Sequence, residues 1–155
     1  MSNNDLQPTT VSYNTTISCF GMASHWDSAL DLFRSMAEAA VRSNVISYSS
    51  SITACEKAAR WPLAVRLWQE MSELKVEANL HAFNSTMSAC EKAEQWPQAL
   101  VIFNALPKAS LSPDVVSFSA LISAFQRAGR WQLSLHLLEV MASQTVEANA
   151  YSCSA

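Results

Sequence analysis

Apolar residues recur along the chain at spacings of three and four, the pattern of an amphipathic helix. Tyr48, Ile52 and Cys55 follow this spacing and predict a helix over roughly 47–58. A break is expected at 59–61. A second apolar stripe then begins, with Ala64, Leu67, Trp68 and Met71. The pattern therefore predicts two short helices joined by a tight turn.

Prolines support this division into pairs of helices. Pro62 and Pro97 stand where a second helix would start, and proline is well tolerated in a first helical turn. Pro107 falls late in another predicted second helix, which we expect it to end early. The linkers between pairs are polar and end in residues suited to a turn or helix cap, namely Asn44, Asn79, Asp114 and Asn149.

The helix pair recurs with a period of 35 residues. Self-similarity at a fixed period of this length is the mark of a repeat protein. Series in a single phase include Trp26, Trp61, Trp96 and Trp131, and also Tyr13, Tyr48, Phe83 and Phe118. We predict a leader at 1–9, four units at 10–44, 45–79, 80–114 and 115–149, and the truncated start of a fifth unit at 150–155.

A single helical hairpin cannot bury both of its apolar faces, whereas hairpins stacked side by side can. The predicted fold class is all-α, a right-handed superhelical solenoid of helix-turn-helix repeats. We interpret the recurring tryptophans as packing residues between the two helices of a unit, in preference to a set of base-stacking rings.

Composition narrows the function. The formal charge of −3 excludes a strongly basic nucleic-acid clamp, although not a local basic stripe. No catalytic set, phosphate loop or metal-ligand spacing is evident, so we expect no enzyme activity, cofactor or metal. The apolar stretches are too short to span a bilayer. The four cysteines, which form no CxxC motif, are interpreted as reduced, buried thiols of an intracellular protein: Cys19, Cys55, Cys90 and Cys153.

The units resemble the pentatricopeptide repeat family. The resemblance rests on the openings at 11–17 and 115–122, on the second-helix segment 29–36 and on the boundary at 112–114, repeated in phase over residues 10–155. It implies modular recognition of single-stranded RNA, and a role in RNA processing or stability. By the same resemblance we expect an organellar location, chloroplast or mitochondrion, although residues 1–5 do not look like a transit peptide. The near alternative is a tetratricopeptide-like scaffold for protein–protein interaction.

In that family the fifth and last residues of a unit together select one base, and the second residue packs against base faces. The fifth residues here are Asn14, Ser49, Asn84 and Ser119, and the last residues are Asn44, Asn79, Asp114 and Asn149. The second residues are Val11, Ile46, His81 and Val116. The family's pairing rule then implies a preferred core of pyrimidine-A-U-A. Independently of the family, small amide and hydroxyl groups suit the edges of unstacked RNA bases.

Basic residues also recur in one phase, at the end of the predicted first helices: Lys57, Lys92 and Arg127. The resemblance implies contact with the RNA backbone. Cations at helix C-termini are also expected where they only meet the negative end of the helix dipole. Glu56 and Glu91 stand beside the two lysines and reduce the local charge. Both interpretations of the basic residues remain open on the sequence.

Overall fold

The structure is a computed structural model that describes residues 8–143, and this part of the chain is helical with no strand. Four helical hairpins follow one another. Their helices are α1 (Thr10–Met22) and α2 (Trp26–Glu38), α3 (Val45–Lys57) and α4 (Trp61–Glu73), α5 (Leu80–Lys92) and α6 (Trp96–Ala105), and α7 (Val115–Arg127) and α8 (Trp131–Ser143). The predicted leader to residue 7, Asn149 and the segment 150–155 lie outside the described residues.

Polar caps set where the first helices begin, as the linkers predict. Asn44, Asn79 and Asp114 each accept hydrogen bonds from backbone N–H groups at the starts of α3, α5 and α7. Because Asn44 caps the chain, α3 begins at Val45, two residues before the predicted start. The second helices lack a side-chain cap at α4 and α6, and proline occupies the first turn of each, as predicted.

The helix ends depend on residues in the left-handed conformation. The turn after each first helix has one residue with positive φ: Ser24 at 62°, Ala59 at 54°, Glu94 at 59° and Gly129 at 67°. After α3, Arg60 N donates to Cys55 O at 2.8 Å and Ala59 N donates to Glu56 O at 3.1 Å, a Schellman motif. Pro107 ends α6 early, as predicted, and a short 3₁₀ turn follows at Pro107–Ala109.

The hairpins pack in two layers. The first helices α1, α3, α5 and α7 contact one another in succession. The second helices α2, α4 and α6 each pack on the first helix of their own hairpin and of the next, and α8 packs on α7. Edge-on aromatic pairs join the layers across hairpins, with ring centroids 4.9 Å apart for Phe33 and Tyr48 and 5.2 Å apart for Phe103 and Phe118. The core is therefore continuous along the array, and the predicted all-α solenoid is confirmed.

The recurring tryptophans pack differently from the prediction. The ring centroid of Trp96 lies 5.9 Å from that of Phe125 in the next hairpin, whereas Trp131 is 62% exposed. Arg60 and Arg130 of following hairpins also stack over Trp26 and Trp96. Trp26 and Trp96 therefore contact the following hairpin, which the predicted packing within one hairpin does not include.

The cysteines fit the prediction only in part. Cys55 and Cys90 are fully buried, and burial raises the pKa of Cys55 to about 11 and that of Cys90 to about 12. These two thiols therefore stay protonated and unreactive at neutral pH. Cys19 is exposed on α1, so the prediction of a buried thiol is wrong there. Cys153 lies outside the described residues.

Candidate nucleic-acid interface

Three of the four predicted base-selecting pairs come together along the face formed by the first helices. Within each pair the fifth and last residues of a unit are hydrogen-bonded, although 30 residues separate them in the chain. The distances are 3.2 Å from Asn14 Nδ2 to Asn44 Oδ1, 3.4 Å from Ser49 Oγ to Asn79 Oδ1, and 3.1 Å from Asn84 Nδ2 to Asp114 Oδ1. The partner of Ser119 in this scheme, Asn149, lies outside the described residues.

The fifth and last residues have different exposure. Asn14, Ser49 and Asn84 are buried between neighbouring first helices, each less than a tenth exposed. Asn44 and Asn79 are exposed and Asp114 is half-buried, each at the N-terminus of the next first helix. The last residues therefore cap helices, as the polar linkers predict, and capping does not exclude contact with a base. A cap that uses its oxygen on the backbone still presents its remaining polar atoms outward.

Two clefts open beside these pairs. The α3–α5 cleft has a volume of 310 Å³, with Ser49 and Asn79 in its lining and Ile46 and His81 beside them. The α5–α7 cleft has a volume of 390 Å³ and places Asn84 and Asp114 between His81 and Val116. Each cleft therefore combines one polar pair with the second residues of two consecutive units.

The second residues form an exposed row. Val11 is 73% exposed, Ile46 55% and Val116 57%, and the three share one phase of the 35-residue repeat. His81 interrupts the row. Its Nε2 lies 3.3 Å from Thr53 Oγ1, a hydroxyl that donates to Ser49 O. The imidazole is thereby held in the lining of the α3–α5 cleft.

The three basic residues are not equivalent. Lys92 Nζ lies 3.0 Å from Glu56 Oε1, and Arg127 Nε lies 3.3 Å from Glu91 Oε1, so both cations have an acidic partner on the preceding first helix. On the helix before Lys57, the position that corresponds to Glu56 and Glu91 is occupied by Gly21, which has no side chain. Lys57 accordingly has no ion pair within residues 8–143. A Cβ at Gly21 would lie 3.3 Å from Ala54 Cβ, so close packing of α1 on α3 favours glycine there.

Hydrogen bonding sets the charge state of Asp114. Burial alone would raise the pKa of this carboxyl group, but the backbone and side chain of Ser117 and the amide of Asn84 donate to it. Together these bonds hold its pKa below the ordinary value. Asp114 is therefore ionised at neutral pH and presents only hydrogen-bond acceptors to the α5–α7 cleft.

Sequence reasoning missed the third residues of two units. Ser47 Oγ donates to Asn14 Oδ1 at 2.6 Å, and Ser117 Oγ donates to Asn84 Oδ1 at 2.7 Å. Both serines are fully buried and complete capping boxes at the starts of α3 and α7. Serine recurs as the third residue of the unit at Ser12, Ser47 and Ser117, and this recurrence could have indicated their role from the sequence.

Residues 8–143 contain no cluster of three or more His, Cys, Asp or Glu side chains able to hold a metal ion. None of their helices is long and apolar enough to cross a membrane.

The stacked helical hairpins and the row of polar pairs define a helical-repeat scaffold. Models of pentatricopeptide repeats match the chain throughout: the PPR repeat family at 8–57, the pentatricopeptide repeat domain at 66–128, and the PPR repeat at 46–76 and 116–145. The chain belongs to the pentatricopeptide repeat family, as the sequence predicts.

Solved structures of the family share the fold. The pentatricopeptide repeat protein PPR10, crystallised in complex with an 18-nt psaJ RNA element, superposes with a TM-score of 0.85 at 23% identity, covering 96% of this chain and 22% of its own. The PPR domain of Arabidopsis thaliana protein-only RNase P 1, in complex with tRNA, gives 0.84 at 12% identity, covering 97% of this chain and 80% of its own. This chain thus spans about a fifth of PPR10. Comparison with curated proteins gave no significant sequence match.

Proposed function

We propose that the chain is a sequence-selective scaffold for single-stranded RNA that acts in RNA processing or stability. The observation that carries the proposal is the α3–α5 and α5–α7 clefts, each of which joins a hydrogen-bonded fifth and last residue to two flanking second residues. Such a cleft offers polar groups to the edge of a base and apolar or aromatic groups to its faces. Similar structures solved with RNA support this choice.

The proposed base order is pyrimidine-A-U-A, read from the first unit to the fourth. Ser49 has a short hydroxyl, which leaves room in the α3–α5 cleft for a purine. Asn84 extends further and, next to the acceptor-only Asp114, suits a smaller pyrimidine ring that offers an N–H donor, as uracil does. Stacking adds roughly 1–3 kcal/mol per base with little selectivity, so the polar pairs must supply the discrimination.

The roles proposed for the remaining residues follow the same arrangement. Val11, Ile46, His81 and Val116 are proposed to stack on bases, and Lys57, Lys92 and Arg127 to face the RNA backbone. Lys57 is proposed to make the strongest of these contacts, because Lys92 and Arg127 already have acidic partners. Ser119 with Asn149 is proposed to select the fourth base. The matched family models within 8–145 are all repeat models, and we propose a scaffold role without catalysis. An organellar location is part of the proposal and rests on the family alone.

A reciprocal exchange between two units tests the base assignment. Ser49→Asn should move the preferred second base from adenine toward a pyrimidine, and Asn84→Ser should move the third base from uracil toward a purine. Binding is measured by competition at low salt, with short RNAs that carry each of the four bases at one position. Each variant is the control for the other, because it should leave the neighbouring position unchanged. If Ser49→Asn still prefers adenine, the assignment is wrong.

One observation supports a second candidate, a protein-interaction scaffold. A groove with a volume of 610 Å³ lies between the second helices α2 and α4. Phe33 and Leu67 line it together with charged side chains such as Arg66. This groove lies apart from the polar pairs, so a protein partner there would not compete with RNA. Loss of a bound protein on Arg66→Glu, a change at an exposed residue of the groove, with RNA binding intact, would support this candidate.

A further inference from the structure

Two buried serines contact the base-selecting asparagines from the next unit. Ser47 lies in the first turn of the second unit's first helix, yet its hydroxyl lies 2.6 Å from Asn14 Oδ1 in the first unit. Ser117 stands in the same relation to Asn84, at 2.7 Å. We infer that Ser47 and Ser117 are positioning residues for base selection, each setting the amide orientation of the asparagine in the unit before it. The inference rests on the proposed RNA-binding function.

The chemistry of the partners fixes which way each amide faces. An ionised Asp114 only accepts hydrogen bonds, so Asn84 must turn its NH₂ group toward Asp114 and its oxygen toward Ser117. In the first unit, Asn44 Oδ1 accepts from the backbone N–H groups of Ile46 and Ser47. That oxygen also faces Asn14, so Asn14 must present its NH₂ group to it. The two junctions reach the same geometry from different last residues.

The serine hydroxyl itself has little freedom. Its oxygen accepts from the backbone N–H of the last residue, at 3.1 Å for Asn44 and 3.2 Å for Asp114. Its one hydrogen then has two acceptors in reach. For Ser47 these are Asn14 Oδ1 at 2.6 Å and Asn44 Oδ1 at 3.2 Å, so the shorter hydrogen bond to Asn14 is clearly favoured. For Ser117, Asp114 Oδ1 at 2.8 Å competes closely with Asn84 Oδ1 at 2.7 Å. Ser47 should therefore hold its amide more firmly than Ser117.

A fixed amide has a defined group left for RNA. One NH₂ hydrogen is used on the last residue and the oxygen is used on the serine, which leaves the second NH₂ hydrogen as the donor for a base. Cytosine and uracil present a carbonyl oxygen that accepts such a donor, and the longer asparagine side chain leaves less room for a purine. Without the serine the buried amide oxygen loses its donor, and the side chain can tilt to offer other atoms to the base. Selectivity should then fall more than affinity.

The junction between the second and third units provides an internal contrast. The residue corresponding to Ser47 and Ser117 is Ala82, which is buried and has no hydroxyl. The fifth residue there is Ser49, which has no amide to orient and contacts Asn79 at 3.4 Å. Within residues 8–143 there are thus two amide junctions with a serine and one hydroxyl junction without it. Base selection at the amide junctions would depend on three residues from two units.

The test measures base preference in Ser47→Ala with the full chain, using RNAs that differ only at the first base. We expect the preference for pyrimidine over purine at that base to fall by about fivefold, the factor given by one net hydrogen bond of ordinary strength. The second, third and fourth bases should keep their preferences. Ser117→Ala should produce a smaller loss at the third base only. Ser47→Thr, which keeps the hydroxyl, should restore selectivity.

A matched control separates positioning from helix capping, because Ser47 also completes the capping box of α3. Ser12 occupies the same position in α1, where its hydroxyl lies 3.2 Å from Thr9 Oγ1. Ser12→Ala should weaken that helix start and leave every base preference unchanged. Circular dichroism confirms that each variant is folded. A second readout needs no RNA, because the NMR signals of the Asn14 side-chain amide should shift in Ser47→Ala and not in Ser12→Ala.

The outcomes are distinct. A selective wild type whose preference survives Ser47→Ala overturns the inference and leaves the proposed function standing. An equal loss at all four bases also overturns it, because Ser47 would then act only through stability. A folded wild type that binds RNA with no preference at the first base, or does not bind RNA, contradicts the proposed function itself.

Discussion

The salt dependence of RNA binding should be carried mainly by Lys57. Each contact between a cation and a phosphate of single-stranded nucleic acid contributes about −0.7 to the slope of log affinity against log salt. Three full contacts from Lys57, Lys92 and Arg127 would give about −2. The ion pairs of Lys92 with Glu56 and of Arg127 with Glu91 already satisfy two of these cations. We therefore predict a total slope near −0.7, attributable to one contact.

The two slopes differ enough to measure. A rise in salt from about 50 to 200 mM should weaken binding about 2.6-fold for one contact and about 18-fold for three. The assay is fluorescence anisotropy with a labelled RNA containing the pyrimidine-A-U-A core, titrated at several salt concentrations. Lys57→Ala should nearly abolish the slope, whereas Lys92→Ala should change it little.

A surface lysine serves as the control. Lys75, in the turn after α4, lies in neither cleft, so Lys75→Ala should leave the slope unchanged. A slope in Lys57→Ala equal to that of the wild type would refute the reasoning. Equal flattening by Lys57→Ala, Lys92→Ala and Arg127→Ala would also refute it, because the ion pairs would then not restrict the two cations.

Two further predictions concern stability. Ala59→Gly should raise the free energy of unfolding by about 1 kcal/mol, because Ala59 is held at a φ of 54°. Gly129→Ala should lower the free energy of unfolding by a similar amount, and urea unfolding measures both changes. Because the pKa of Asp114 is lowered on folding from 3.8, its ionised form stabilises the protein above about that pH, and the benefit is lost as pH falls through the lower folded value. The stability difference between wild type and Asp114→Asn should thus shrink below pH 3.8, and a constant difference would contradict this.

Features that repeat within one unit could be predicted from the sequence. The apolar stripe around Ile52, the proline in the first turn of α4 and the early end of α6 at Pro107 all depend on local spacing or local backbone chemistry. The asparagine caps belong to the same group. Their side chains bond to N–H groups two or three residues away, which a pattern of neighbours can indicate.

Contacts between units could not be predicted in this way. Lys92 meets Glu56 across 36 residues and Ser47 meets Asn14 across 33, and both depend on how closely successive first helices approach. The period shows that such positions recur but not which atoms touch. The same limit explains why Trp96 contacts Phe125 of the next hairpin, and why the exposure of Cys19 was missed.

A selection from a random RNA library tests the central claim most directly. The wild-type chain is immobilised, bound RNAs are sequenced, and Ser49→Asn is selected in parallel. We expect enrichment of pyrimidine-A-U-A from wild type, with the second base alone moving to a pyrimidine in Ser49→Asn. Recovery of unenriched sequence from the folded wild type would contradict the claim that its clefts read single-stranded RNA.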